Sequence, residues 1–342
     1  MFSEKNLISN DNTFKKFIFT CLDENIISID TEFVRNKTFY PELCLIQIGT
    51  SKGSYAIDPN KITNLSLLKK ILRNKDILKV FHSPRQDLEI FFNLFGFLPN
   101  NIFDTQIAFS FIGQEYQISY EKLVLKLLKI KLDKTFQHYD WSLRPMCQNQ
   151  LTYALNDVYY LRKIYFKIKQ KLNTKNRLHW AMEESKTYLN KKLYLSNPEN
   201  YWKNIYPSKA KDLNLFNLKK ICEWREKKCT SFNISRKLVF SDKDLVILIK
   251  KPKYLNSLSI KYELEKKDIL IIDKILSNKF ETLLEEKAKT YNSNIELLHI
   301  LKIILKLISN ETNISQNLIA TTSDLEKLNF KNNKKSRLFK TW

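Results

Sequence analysis

Two carboxylates stand two residues apart in the run Ser28-Ile-Asp-Thr-Glu-Phe, at Asp30 and Glu32. Side chains two apart on a strand share a face, so both acids point one way while Ile27, Ile29 and Phe33 point the other. Such a pair is either a solvent-facing edge or a buried cluster that needs a compensating cation. The strand reads as the first of its domain and is flanked by β-branched residues, and first strands of α/β sheets are often central. Two further acids extend the possibility. Asp87 follows a strand end, where α/β folds build sites, and it equally suits a first helical turn whose dipole it would complement. Tyr153 and Asp157 are neighbours at i, i+4 on one helical face, which also describes a core-edge tyrosine beside a solvated aspartate.

The ligand chemistry on offer is oxygen chemistry. The four histidines, at 82, 138, 179 and 299, form no HxxxH or HExxH pair, so no helix brings two imidazoles to one face. The five cysteines, Cys21, Cys44, Cys147, Cys222 and Cys229, are odd in number and lack CxxC spacing, which argues against a disulfide framework and a zinc cluster.

The elements that must position these acids change character along the chain. Ile26 to Phe33, Leu43 to Gly49, Ser54 to Ile57 and Leu78 to Phe81 read as strands, with a helix over Leu67 to Leu72. A helix follows Phe81, with Ser83 predicted at its N-cap and Pro84 in its first turn, carrying Asp87. Another opens at Asp104, read as an N-cap, and a long amphipathic helix opens near Cys147 and runs through Tyr153, Asp157, Leu161 and Ile164. Strands first and helices later make an α/β domain with a mixed sheet. Beyond residue 171 the periodicity is helical, over Leu213 to Glu226, Asp242 to Ile249, Lys266 to Ile275, Phe280 to Lys289 and Ile295 to Ile308. The tail, Lys331 to Trp342, is basic.

At 342 residues with 43% hydrophobic side chains, the chain can build two or three cores. No stretch reaches the roughly 18 apolar residues of a membrane span; Leu297 to Ile308 is broken by Lys302 and Lys306. The first residues do not read as a signal peptide, so a cytoplasmic location is expected. A net charge of +22 favours a polyanionic partner. Residues 1–170 carry 23 Lys and Arg against 17 Asp and Glu, and residues 171–342 carry 35 against 19. The helical half therefore holds most of the excess.

In order, Asp30-Thr-Glu-Phe-Val-Arg, His82-Ser-Pro-Arg-Gln-Asp-Leu-Glu and Tyr153-Ala-Leu-Asn-Asp-Val resemble the three exonuclease motifs of the DEDD superfamily. Leu43-Cys-Leu-Ile-Gln-Ile-Gly, Phe103-Asp-Thr-Gln-Ile-Ala and Asp140-Trp-Ser-Leu-Arg-Pro, followed by Gln150-Leu-Thr-Tyr, look like the ribonuclease D family. A tyrosine four residues before the last aspartate, with Thr152 where the other branch has histidine, resembles the tyrosine subclass. The resemblance implies a ribonuclease H-like exonuclease domain, its mixed sheet flanked by helices, over residues 1–175. It also implies two divalent cations, Mg²⁺ or Mn²⁺, held by Asp30, Glu32, Asp87 and Asp157. In that set Asp30 would bridge both cations, Glu32 and Asp157 would complete the site of the attacking water, Asp87 would hold the second cation, and Tyr153 would orient the water.

His82 and Arg144 are secondary candidates for contacting phosphate or supporting the site, although Arg144 could equally pair with a neighbouring acid. Asp140-Trp141 is expected to be site wall. Residues 213–226 and 236–248 resemble an HRDC module, which sets the expected division: linker 176–209, HRDC-like helical domain 210–289, and a shortened second module with a basic tail over 290–342. The implied activity is 3′→5′ exoribonucleolytic release of nucleoside 5′-monophosphates from tRNA precursors and other small structured RNAs, by a monomer with no obligate protein partner. The alternatives are a DNA exonuclease of the same superfamily and a non-catalytic RNA-binding protein on a nuclease fold.

Overall fold

The computed structural model describes residues 2–133, 135–137, 139–205, 214–277 and 295–326. By contact the chain divides into two units. The first comprises Met1–Val34, Leu43–Tyr194 and Tyr291–Trp342, and the second Arg35–Glu42 and Leu195–Thr290.

The first unit is built on a six-stranded sheet: β1 (Leu7–Ile8), β2 (Ile26–Val34), β3 (Glu42–Gly49), β4 (Ser54–Ile57), β5 (Leu78–Phe81) and β6 (Ile102–Asp104), in the order β1-β4-β3-β2-β5-β6. Pairing is parallel for β1–β4, β2–β5 and β5–β6 and antiparallel for β3–β4, so the sheet is mixed. Helices α1 (Asp11–Leu22), α2 (Leu68–Arg73), α3 (Arg85–Phe95), α4 (Thr105–Ser110), α5 (Tyr120–Leu128), α6 (Gln148–Thr174) and α7 (Leu178–Ser185) cover it. The strand bearing Asp30 is central, as its pattern suggests, but it is not the first. The two-residue β1 and helix α1 precede it, and two residues are too few to show period-2 alternation. Ile27 and Ile29 join Ile46, Ile48 and Ile57 in one core, on the sheet face opposite the acids.

The helix after β5 starts later than its sequence signals indicate. Pro84 is its N-cap, with no side-chain cap bond, and Ser83 sits at φ 56°, in the left-handed region. The Ser83 amide donates to the Asp104 carboxylate at 2.8 Å, so a tertiary bond fixes the turn before the helix and Ser83 does not cap it.

The boundary predicted at residue 175 falls within the first unit. Ala181 of α7 and Ile314 and Leu318 share one apolar cluster with Leu161, Ile164 and Ile168 of α6. Of the segment predicted as a shortened second module, Ile314 and Leu318 therefore bury in the nuclease unit, whereas Ile295, Ile300, Ile303 and Leu307 stay exposed.

The second unit contains α8 (Leu215–Phe232), α9 (Arg236–Val239), α10 (Asp242–Lys250), α11 (Leu255–Lys261) and α12 (Lys266–Leu276). Its core is formed by Trp202, Leu218, Ile221, Phe240, Leu245 and Leu248. Arg225 is fully buried there, pairs with Asp242 at 2.8 Å and donates to the Phe240 carbonyl. The chain returns to the first unit as α13 (Ile295–Thr312), α14 (Gln316–Ile319) and α15 (Thr322–Glu326). The helix predicted over Phe280 to Lys289 and the basic tail lie outside the described residues.

Candidate active site

Asp30 and Glu32 stand on β2 between β3 and β5, and Asp157 on α6, which packs against that strand. The seam between them is tight. The Ser28 hydroxyl donates to the Val158 carbonyl at 2.7 Å, tying β2 to α6 two residues before Asp30 and one after Asp157. A Cβ on Gly49 would lie 2.3 Å from Ser28 Oγ and 2.8 Å from Val158 O, so only glycine lets helix and strand approach this closely.

Asp87, in the first turn of α3, is buried and accepts the Thr31 hydroxyl at 2.5 Å. Thr31 lies between Asp30 and Glu32, so one strand carries two acids and fixes a third. Burial raises the Asp30 carboxyl well above its ordinary value, and the charges of Asp87, Asp157 and Glu32 raise it further. Glu32 is raised by burial and then by Asp157 and Asp87. Burial brings Asp157 to about 7 and Asp87 to about 6, the latter held back by the Thr31 hydroxyl. All four predicted acids thus lie in one field of mutual repulsion.

A cleft of about 270 Å³ opens over this group, lined by Asp30, Asp157, Tyr153, His82, Tyr120 and Asp133 among others. Glu32 and Asp87 are outside its lining, and their charges still raise the Asp30 carboxyl. Among the described residues, no three carboxylate, histidine or cysteine side chains converge into a ready-made metal cage. The donor set is nonetheless all oxygen, and a divalent cation is what lowers the cost of burying so many carboxylates.

Tyr153 lines the cleft one helical turn before Asp157 and packs against Trp141 and Phe136, with ring centroids 6.0 Å away in each case. Burial, then Asp157, Glu32 and Asp30, push its phenol upward, so it stays a neutral hydroxyl donor. Trp141, predicted as site wall, is buried behind Tyr153 and is not among the residues that line the cleft. Tyr120 carries no sequence signal as a site residue, yet it lines the cleft and donates to the Asp157 carbonyl. Only the packing of α5 on α6 brings it there.

The two secondary candidates diverge. His82 lines the cleft, and its ring nitrogens lie 3.0 Å from Thr105 Oγ1 and 3.1 Å from the Ile118 carbonyl. Burial pulls its pKa down to about 4, so the ring is neutral and presents no cation to a phosphate. Arg144 is not in the cleft lining. Its guanidinium pairs with buried Asp58 through two bonds of 2.7 and 3.0 Å and donates to the carbonyls of Cys44, Trp141 and Leu143. The phosphate contact considered for Arg144 gives way to the pairing alternative, because every guanidinium nitrogen already has an acceptor.

A mixed sheet with two acids on its central strand, and a helix packed on that strand that brings Asp157 to the cleft beside Asp30, fits the DEDD class of 3′→5′ exonucleases, and the family model described as 3′-5′ exonuclease matches residues 6–173. The ribonuclease D of Bartonella henselae is 36% identical over 336 residues, covering 94% of this chain and 82% of that protein. That of Zymomonas mobilis is 38% identical over 245 residues, covering 71% of this chain and 63% of the relative. The crystal structure of Escherichia coli RNase D, an exoribonuclease involved in structured RNA processing, superposes with a TM-score of 0.80 at 27% identity, covering 94% of this chain and 89% of that one. The chain belongs to the ribonuclease D family and is a 3′→5′ exoribonuclease.

Proposed function

We propose that the chain trims the 3′ ends of small structured RNAs, tRNA precursors among them, with Asp30, Glu32, Asp87 and Asp157 holding two divalent cations, Mg²⁺ or Mn²⁺. The observation that carries this reading is the group of four carboxylates, all raised chiefly by burial and Asp30 and Glu32 also by their acidic neighbours, at a cleft open to solvent. When bound, such cations supply an ionised water, stabilise the phosphoryl oxygens and relieve the departing 3′ oxygen. Asp30 would touch both cations, Glu32 and Asp157 the one nearer the water, and Asp87 the other. The Tyr153 hydroxyl, kept neutral, donates toward the attacking oxygen and orients it. Neutral His82 lines the cleft, Trp141 backs the Tyr153 ring, and Tyr120 steadies α6 through the backbone at Asp157.

The basic helical half supports a backbone grip on folded RNA, with the HRDC-like region at 210–289 delivering a single-stranded 3′ end. Among the described residues no helix is long and apolar enough to cross a membrane; a cytoplasmic monomer fits the reading. The deciding experiment follows labelled single-stranded RNA and its DNA counterpart over time with Mg²⁺ and with Mn²⁺. Stepwise shortening of the RNA from its 3′ end is expected, and internal cuts or a preference for DNA would reject the substrate assignment. In the same assay Asp30→Asn should remain folded and lose activity, and a residual rate above about a tenth would count against the two-cation site.

A further inference from the structure

Helix α6 is amphipathic in more than one sense. At 3.6 residues per turn, Tyr153, Asp157 and Leu161 share the face lining the catalytic cleft, and Tyr159 lies about 200° round the helix from Asp157. On that other side, Tyr159, Arg162, Lys163 and Phe166 border a second hollow of about 340 Å³, closed by the β3–β4 turn from Gly49 to Ser54, which brings Lys52. No acidic residue lines it.

Its rings are unusually open for large aromatics, 39% exposed at Tyr159 and 47% at Phe166. The cations are held against them. The Lys163 ammonium lies 4.1 Å from the Tyr159 ring centroid and 2.7 Å from its hydroxyl. The Arg162 guanidinium lies 5.5 Å from the Phe166 centroid, anchored by the Ile26 carbonyl and by Glu24 at 3.6 Å. Rings interleaved with fixed positive charge stack bases and meet phosphates without reading sequence. An apolar protein patch would be better matched by rings without three cations, and a simple anion site would not leave two rings open.

We propose that this hollow is a second RNA-contact site, remote from the scissile end, where an unpaired segment of the substrate stacks on Tyr159 and Phe166 while its backbone meets Lys52, Arg162 and Lys163. It rests on the assignment of RNA as substrate and deepens it, because it predicts a preference for RNAs long enough to reach both faces of α6. A four-nucleotide RNA occupies the catalytic cleft alone.

The test measures kcat and KM of the full chain on a four-nucleotide RNA and on a structured RNA with an unpaired loop and a 3′ tail. Two variants are compared, Tyr159→Ala with Phe166→Ala, and Lys52→Gln with Lys163→Gln, the second leaving both rings in place. KM for the structured RNA should rise roughly 5-fold to 100-fold in the ring variant, with kcat and all constants for the short RNA unchanged. The lysine variant should flatten the salt dependence of binding by about two ionic contacts. An unchanged KM for the structured RNA in both variants overturns the site, as does an equal loss on the short RNA. Failure of the unmodified chain to shorten the four-nucleotide RNA from its 3′ end would instead overturn the nuclease reading beneath it.

Discussion

Asp30 sits where burial and three neighbouring carboxylates all oppose its charge. Tyr153 is a different kind of residue, a neutral donor whose ring the aromatic wall fixes in place. Removing its hydroxyl while keeping the ring tests orientation without disturbing packing, so Tyr153→Phe should lower kcat about tenfold to hundredfold in single-turnover assays, with KM and the melting temperature unchanged. Arg144 should behave in the opposite way. Arg144→Ala strands the buried Asp58 carboxylate and should cost about 3 kcal/mol of stability in urea unfolding, while kcat per folded molecule stays near wild type. These residues show how far type and spacing go. The acids and Tyr153 are legible because their order along the chain matches a known set, whereas Arg144 looks like a phosphate ligand until its five acceptors are counted.

Elements set the geometry that residues exploit. The close approach of β2, β3 and α6 depends on Gly49, and Gly49→Ala would push a methyl group against Ser28 Oγ and the Val158 carbonyl. A loss of about 1–3 kcal/mol is expected, together with reduced kcat, because Asp30 and Asp157 ride on the two elements forced apart. In the second unit, the start of α10 depends on Asp244. Burial pushes this carboxyl up, but bonds from Lys261, Tyr262 and Ser241 outweigh it and hold it at about 2. A depressed carboxyl stabilises the fold above its unfolded value, near 4, and that contribution disappears as pH falls toward 2. Chemical unfolding should show the second unit weakening by about 1–2 kcal/mol across this window, and Asp244→Asn should remove most of that dependence. Nothing in Ser-Asp-Lys-Asp identifies this network, because Lys261 and Tyr262 arrive from α11 and the residue after it.

At the scale of the molecule, cation binding and folding of the first unit are linked. A cation that binds only the folded carboxylate cluster stabilises it by about 2.7 kcal/mol at a hundred times its Kd. Mn²⁺ should therefore raise the first unit's melting temperature in calorimetry, with no such rise in Asp30→Asn. The division into units also differs from a cut along the chain. Arg35–Glu42 leaves the catalytic strand and folds with the second unit, where Ser235 donates to the Lys37 carbonyl at 2.8 Å, and residues 295–326 return to the first. Periodicity identifies these helices but carries no information about which core they join.

The sequence by itself determined four of the six strands, the long helix that follows them and the family, and it singled out the four acids with their tyrosine, because local periodicity and motif spacing are properties of neighbouring residues. Tertiary structure decided what depends on contacts between residues far apart in the chain. It assigned Arg144 to Asp58, placed Ser83 in a left-handed turn beneath Asp104, and brought Tyr120 to Asp157. It also turned Tyr159 and Phe166 outward beside Lys52. In each case the deciding partner lies tens of residues away, and no short-range pattern records which partner a buried polar or aromatic group will find.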